Sequence, residues 1–187
     1  SYLNLFPVGT IKYTDGRRKG IVYYPADSDG QNAAFNTNLA ALGRETIVFM
    51  AHGNHTTADP SYLGYDFFQI DLARMGFVAV SIDCNEFNGD LHGVINIENR
   101  ADLITDNIAY FQSLDGSGAS VFHKKIDFGK TGLMGHSRGG DAVVMVPEVF
   151  NLAGVTLKSV LALAPTDFRW GVNGNGITTI PKGYDFM

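Results

Sequence analysis

Residues 130–140 read KTGLMGHSRGG, and this stretch decides the fold. Its first half is a short apolar run typical of a buried strand, and a helical pattern follows it. Between the two, residues 135–139 match G-x-S-x-G, a pattern that places a serine at the tip of a tight strand-to-helix turn. Side chains two residues before and two after that serine would clash across the turn, so Gly135 and Gly139 suit their positions. We therefore predict a strand, a sharp turn at Ser137, and a helix whose N-terminus favours negative charge beside the serine.

The hexapeptide Gly-His-Ser-Arg-Gly-Gly around Ser137 also resembles the nucleophile elbow of α/β-hydrolases. The chlorophyllase, dienelactone-hydrolase and cutinase-like esterase branches of that superfamily are the most similar. The resemblance implies one α/β-hydrolase domain over residues 1–187 with Ser137 as the nucleophile. It covers nearly all of the chain but only the front part of the usual fold. We therefore expect a domain that is incomplete at its C-terminus and truncated after the sixth main strand.

Composition restricts the classes of partner. A net charge of −5 without a basic run argues against nucleic acid. No apolar run reaches membrane-spanning length, and no charged-then-apolar leader opens the chain. The single Cys84 excludes an internal disulfide and a zinc cluster. Both a cytoplasmic protein and a secreted protein without disulfides fit this composition.

Alternating strand and helix patterns predict a doubly wound, mostly parallel sheet behind an antiparallel hairpin. The hairpin turns at Asp15-Gly16, a strong hairpin signal between β-prone runs. Four buried strands are expected to lie parallel in one sheet, with helices on both faces. These strands are Thr46–Ala51, Phe77–Ile82, Lys130–Gly135 and Leu157–Ala164.

Local signals also predict where two helices begin. Asp59 before Pro60 is typical of an N-cap followed by the first helical residue. Glu98 is placed in the first turn of a long helix, after a loop over residues 88–94.

The strand Thr46–Ala51 ends in His52-Gly53-Asn54-His55. The hydrolase resemblance implies that this loop supplies one oxyanion-hole N–H, with Asn54 as the matching position, and that the backbone N–H of Arg138 supplies the other. The longer lipase form His-Gly-Gly-Gly is absent, so a neighbour of Asn54 is an alternative donor. We interpret His52 as a brace for the loop, whereas His55 either lines the pocket or faces water.

The catalytic base is missing from the expected place. The superfamily's order along the chain is serine, acid, histidine, yet all five histidines precede Ser137. His136 is expected to point away from the serine hydroxyl, and His123 to lie at the surface. We therefore expect the acid and the histidine beyond residue 187, with Asp167 as a candidate substitute acid. A second chain or a further C-terminal segment would then complete the fold beside Leu157–Ala164.

The favoured hypothesis is an esterase- or lipase-like serine hydrolase acting on a small-molecule or lipid-like carboxylic ester. This chemistry needs no cofactor and no metal. Three aromatic residues expected near the cleft, Tyr62, Phe87 and Trp170, suit an apolar acyl or alcohol group. The alternative is a non-catalytic binding or structural module on the same fold. The sequence does not separate an acyltransferase or thioesterase on the same fold from an esterase.

Overall fold

The computed structural model describes residues 5–89, 93–166 and 185–186. Within these residues the chain forms eight strands, four α-helices and two short 3₁₀ helices. The strands are β1 (Val8–Asp15), β2 (Arg18–Pro25), β3 (Gly30–Gln31), β4 (Glu45–Ala51), β5 (Val78–Ile82), β6 (Ile126–His136), β7 (Leu157–Leu163) and β8 (Asp185–Phe186). The α-helices are α1 (Thr37–Leu42), α2 (Asp66–Arg74), α3 (Gly93–Gly116) and α4 (Arg138–Val149), and the 3₁₀ helices are Ser61–Tyr65 and Asn85–Phe87.

All eight strands form one mostly parallel sheet, in the order β3-β1-β2-β5-β4-β6-β7-β8. The hairpin β1–β2 is antiparallel, and β2 joins β5 in antiparallel orientation. From β5 to β8 every neighbouring pair is parallel. The prediction that four named segments lie parallel in one sheet is therefore confirmed.

Helices cover both faces of the sheet because side chains along each strand alternate between them. On one face, Phe68 and Leu72 of α2 pack against a small cluster formed by Met50, Ala79 and Met134. On the other face, α3 and α4 contribute to the main core. Its helical members include an apolar stripe of α3, namely Ile97, Ala101, Ile104, Ile108 and Phe111. The α/β class predicted from the sequence is confirmed.

The order of the parallel strands locates a crevice. Counted along the chain, they lie in the order second, first, third, fourth, fifth, which is one of the common doubly wound arrangements. Winding reverses between β4 and β6, and sheets of this kind bind ligands at the carboxyl ends of the strands at that point. Here those ends are His52 after β4 and Ser137 after β6.

The two predicted helix starts are wrong in detail. Pro60 has φ −76° and ψ 65°, which is not helical, so a 3₁₀ helix begins at Ser61 and α2 only at Asp66. The carbonyl of Asp59, and not its side chain, accepts the Ser61 N–H at 2.8 Å. Helix α3 begins at Gly93, so Glu98 lies beyond its first turn and the predicted loop over residues 88–94 ends earlier.

Beside β7, where a second chain or a further segment was expected to complete the fold, this chain supplies a short strand of its own. Strand β8 pairs in parallel with β7, where Asp185 lies opposite Ser159 and Phe186 opposite Val160. Those two positions of β7 are therefore not at the edge of the sheet.

None of the helices in the described ranges is long and apolar enough to cross a membrane.

Candidate active site

Ser137 has a backbone conformation that side-chain-bearing residues rarely adopt, with φ 55° and ψ −125°. Such a conformation costs on the order of 1–3 kcal/mol and persists only where the surroundings hold it. Here its N–H donates to the Leu163 carbonyl at 2.9 Å, and its own carbonyl accepts the Asp141 N–H at 3.2 Å. Strained residues of this kind cluster at functional sites. Among the described residues, the half-buried Ser137 is therefore the leading candidate for a reactive side chain.

The glycines on either side of Ser137 are required by close backbone contacts. A Cβ on Gly135 would lie 2.1 Å from the Gly139 carbonyl oxygen. A Cβ on Gly139 would lie 2.1 Å from the Ala51 carbonyl oxygen. The predicted reason for the G-x-S-x-G spacing is confirmed, because no L side chain fits at either position.

The loop after β4 lies against Ser137. A Cβ on Gly53 would lie 2.7 Å from Ser137 Cβ and 3.3 Å from Ser137 Oγ, so only a glycine allows this approach. Asn54 follows directly, and its Oδ1 accepts the Gly89 N–H at 3.0 Å. Helix α4 begins at Arg138, which places the positive end of its dipole beside the serine. The structure thus brings both segments expected to donate to an oxyanion, the loop after β4 and the start of α4, next to Ser137, and the convergence of their N–H groups on one point stays a prediction.

His52 braces this loop, as the sequence indicated. Its Nε2 accepts the Cys84 N–H at 3.0 Å, so Nδ1 carries the proton and donates to the Gly53 carbonyl at 2.8 Å. Burial lowers the pKa of His52 from 6.5 to about 4. Both ring nitrogens are hydrogen-bonded to backbone groups and the ring is neutral, so His52 is not the base for Ser137.

Burial raises the pKa of the Cys84 thiol to about 11, which makes Cys84 a packing residue and not a nucleophile.

The lowered pKa of His52 predicts a pH dependence of stability. Between about pH 6.5 and pH 4 the unfolded chain binds a proton at His52 and the folded chain does not, so stability falls as the pH falls. At about 1.4 kcal/mol per pH unit, the loss over this window is about 3 kcal/mol. Urea unfolding of wild type and of His52→Asn at several pH values measures it. The variant should lose the part of the slope due to His52, and equal slopes would contradict the assignment.

A cleft of about 530 Å³ opens next to the turn that carries Ser137, and the serine itself is not among its lining residues. Its walls include His136, which precedes the serine, and Leu163, whose carbonyl accepts the serine N–H. The other lining residues are His52, His55, Asp59, Pro60, Ser61, Gly64 and Tyr65. His55 lines this cleft and is also exposed to solvent, so the two alternatives left open for it are not mutually exclusive. Burial raises the pKa of Tyr65 to about 12, so its phenol is neutral and can act as a hydrogen-bond donor.

Tyr62 was expected near the cleft, but it does not line the cleft, whereas Tyr65 does. Tyr62 is buried, and its carbonyl accepts the Ser81 hydroxyl. Phe87 packs against the main core, with the Arg100 guanidinium 5.9 Å from its ring. Trp170 lies outside the described residues, as does the candidate acid Asp167.

The described histidines supply no hydrogen-bonded base. No ring nitrogen of His52, His55, His123 or His136 makes a hydrogen bond with Ser137, and His92 lies outside the described residues. His123 precedes strand β6, and Ser137 follows the other end of that strand, so the two residues lie at opposite ends of β6. In the same described ranges, no group of three His, Cys, Asp or Glu side chains could hold a metal ion.

A buried polar network beneath the loop was missed by the sequence analysis. Arg100 on α3 is fully buried, and its guanidinium donates to Asn96 Oδ1 (2.8 Å), the His52 carbonyl (3.0 Å) and Asn88 Oδ1 (3.1 Å). The available signal was the pair Asn96 and Arg100, one helical turn apart and next to the apolar stripe that faces the core. A charged residue at that position must be satisfied by hydrogen bonds inside the protein.

Comparison with known proteins adds no assignment. A scan of the chain against protein-family models found no match, and a search of curated proteins found none either.

Proposed function

We propose that this chain is a serine hydrolase of carboxylic esters, esterase- or lipase-like, built on the α/β-hydrolase fold. The observation that carries the proposal is the strained Ser137 at the switch point of the sheet, with the backbone of Gly53 packed against its side chain. A serine that had only to fill a turn would favour glycine at φ 55°. Retaining Ser137 there costs stability, which fits a role for its hydroxyl.

The proposed reaction is acyl transfer through Ser137. Its Oγ attacks the ester carbonyl carbon while a base takes the hydroxyl proton, and the carbonyl oxygen becomes a tetrahedral oxyanion. Backbone N–H groups of Arg138 and of Asn54 or Gly53 are the proposed donors to that oxyanion. Collapse expels the alcohol, which takes up the proton, and water then hydrolyses the acyl-serine by the same two steps. The cleft lined by Tyr65 and Leu163 is the proposed site for an apolar acyl or alcohol group.

The acid and the base are proposed on the basis of the resemblance alone. In the order serine, acid, histidine, both would follow Ser137, and in a natural product that continues past residue 187 they are proposed to lie there. Asp167 is kept as the candidate substitute acid. That segment, or a second chain, is then also the proposed partner that completes the fold.

The alternative is a binding or structural module on the same fold that does not react. The lack of any hydrogen bond from a described histidine to Ser137 favours this alternative. An acyltransferase is distinguished by its acceptor, which a comparison of hydrolysis with transfer to an added alcohol would identify. A thioesterase is distinguished by its acyl donor, which a comparison of a thioester with the matching oxygen ester would identify.

Labelling by a serine-directed fluorophosphonate tests the proposal. In the natural full-length protein we expect Ser137 to attack phosphorus and release fluoride, giving one covalent adduct that mass spectrometry maps to Ser137. Ser137→Ala should take up no label. Ser113→Ala, which changes a surface serine on α3, is the matched control and should be labelled like wild type. A folded wild-type protein that takes up no label at Ser137 would favour the non-catalytic module.

A further inference from the structure

Two loops meet at the candidate site and are held together by four hydrogen bonds. One loop follows β4 and the other follows β5. The bonds run from the Cys84 N–H to His52 Nε2, from Asn85 Nδ2 to the Asp59 carbonyl, from Asn88 Nδ2 to the Thr56 carbonyl, and from the Gly89 N–H to Asn54 Oδ1. The loop carrying His52 and Asn54 is therefore not an independent element, and its position depends on what supports the pair.

Arg100 supports both loops from below. Its Nη1 donates to the His52 carbonyl at 3.0 Å, and its Nη2 donates to Asn88 Oδ1 at 3.1 Å. Asn96, which accepts from Arg100 Nε, donates in turn to the Phe87 carbonyl at 2.6 Å. The side chain is fully buried, so these neutral acceptors replace the water that a guanidinium would otherwise bind. A planar fork of donors fixes the relative position of its acceptors more strictly than an ammonium group can.

These contacts set the direction of two N–H groups. In a trans peptide unit the C=O of one residue and the N–H of the next point in opposite directions. Because Arg100 holds the His52 carbonyl, the Gly53 N–H faces away from Arg100. Because His52 Nδ1 holds the Gly53 carbonyl, the Asn54 N–H faces away from the His52 ring. Among the described residues neither N–H has an acceptor, and Gly53 lies against Ser137.

We propose that Arg100 is a positioning residue that, together with His52, orients the Gly53 and Asn54 N–H groups as oxyanion donors. This inference rests on the proposed ester hydrolysis and extends it to a buried residue of α3 that does not touch the substrate. Arg100 should stabilise the transition state more than the bound substrate, because the oxyanion develops only during the attack on the carbonyl carbon.

The test compares Arg100→Gln, Arg100→Lys and Asn88→Ala in the natural full-length protein. For Arg100→Gln we expect kcat for a p-nitrophenyl ester to fall about 10²-fold, the scale of a misplaced catalytic loop. KM should change little, and the affinity for an alkyl boronic acid that mimics the tetrahedral state should fall in step with kcat. Arg100→Lys keeps a positively charged donor group but not the planar fork, so its kcat should fall less than that of Arg100→Gln. Arg74→Gln is the matched control, because Arg74 is a half-exposed arginine on α2 and its variant should behave like wild type.

Hydrogen exchange at the Cys84 and Gly89 amides gives a readout that does not need activity. Both amides should exchange faster in Arg100→Gln than in wild type. If Arg100→Gln does not fold, the same increase is expected in Asn88→Ala. A folded Arg100 variant with wild-type kcat and boronic-acid affinity would overturn the inference. So would a fall in activity that follows only the loss of folded protein, with the boronic-acid affinity of the folded fraction unchanged. If wild type itself shows no Ser137-dependent hydrolysis, the proposed function fails first and the inference fails with it.

Discussion

Replacing Ser137 by alanine is expected to lower kcat for an activated ester by about 10⁶-fold in a protein that carries the complete triad. The reason is that the hydroxyl forms the covalent intermediate, which an alanine side chain cannot form. What remains, roughly 10³–10⁴-fold over water, would come from the oxyanion donors and from binding. Steady-state hydrolysis of a p-nitrophenyl ester measures the loss, with Ser113→Ala as the control that should keep wild-type activity. A loss of less than about tenfold would contradict the role of Ser137.

The same assay can be applied to residues 1–187 alone. Because no described histidine makes a hydrogen bond with Ser137, we expect residues 1–187 alone to hydrolyse the ester hardly faster than buffer. Strong activity or labelling of Ser137 in residues 1–187 would mean that a base is present in this chain. His55 and His136 would then be replaced first, because both line the cleft beside the serine. His123 is excluded from that role by its place at the opposite end of β6.

The second large effect is on folding. Gly139→Ala would place a methyl group 2.1 Å from the Ala51 carbonyl oxygen and 2.7 Å from that of His52. These are backbone atoms at the end of a central strand, so they cannot move aside as a flexible side chain can. We expect a loss of about 3 kcal/mol or more in the free energy of unfolding, at the upper end of the cost of overpacking. Gly135→Ala should behave similarly, because its methyl group would lie 2.1 Å from the Gly139 carbonyl oxygen.

Urea or thermal unfolding measures this effect, and for a domain of this size about 3 kcal/mol corresponds to a fall in Tm of roughly 6–12 °C. Gly118→Ala is the matched control, because its methyl group would meet no atom within 4 Å. Its stability should stay within about 0.5 kcal/mol of wild type. Equal stability of the Gly139 and Gly118 variants would mean that α4 does not pack against the end of β4 as described.

Much of the sheet could be predicted from sequence because local patterns decide it. Apolar runs such as Thr46–Ala51 and Phe77–Ile82 have no regular polar alternation, which is typical of strands that are buried on both faces of a parallel sheet. The turn at Ser137 was predictable for the same kind of reason, since the steric demands of Gly135 and Gly139 arise within a few residues of chain. Helix starts were less predictable. The pair Asp59-Pro60 shows that a local cap signal does not by itself decide where a helix begins, because the tertiary context can override it.

The tertiary structure alone decided how the site is supported. Nothing local relates Arg100 to His52, which lies 48 residues earlier, and a buried guanidinium is stable only once strand, loops and helix supply its acceptors together. The same holds for Gly53, whose close approach to Ser137 arises only when β4 and β6 become neighbours in the sheet. Sequence patterns report short-range sterics and burial, and they identified the serine and the loop for this reason. Which carbonyl a distant side chain holds depends on strand order, and strand order is a property of the whole fold.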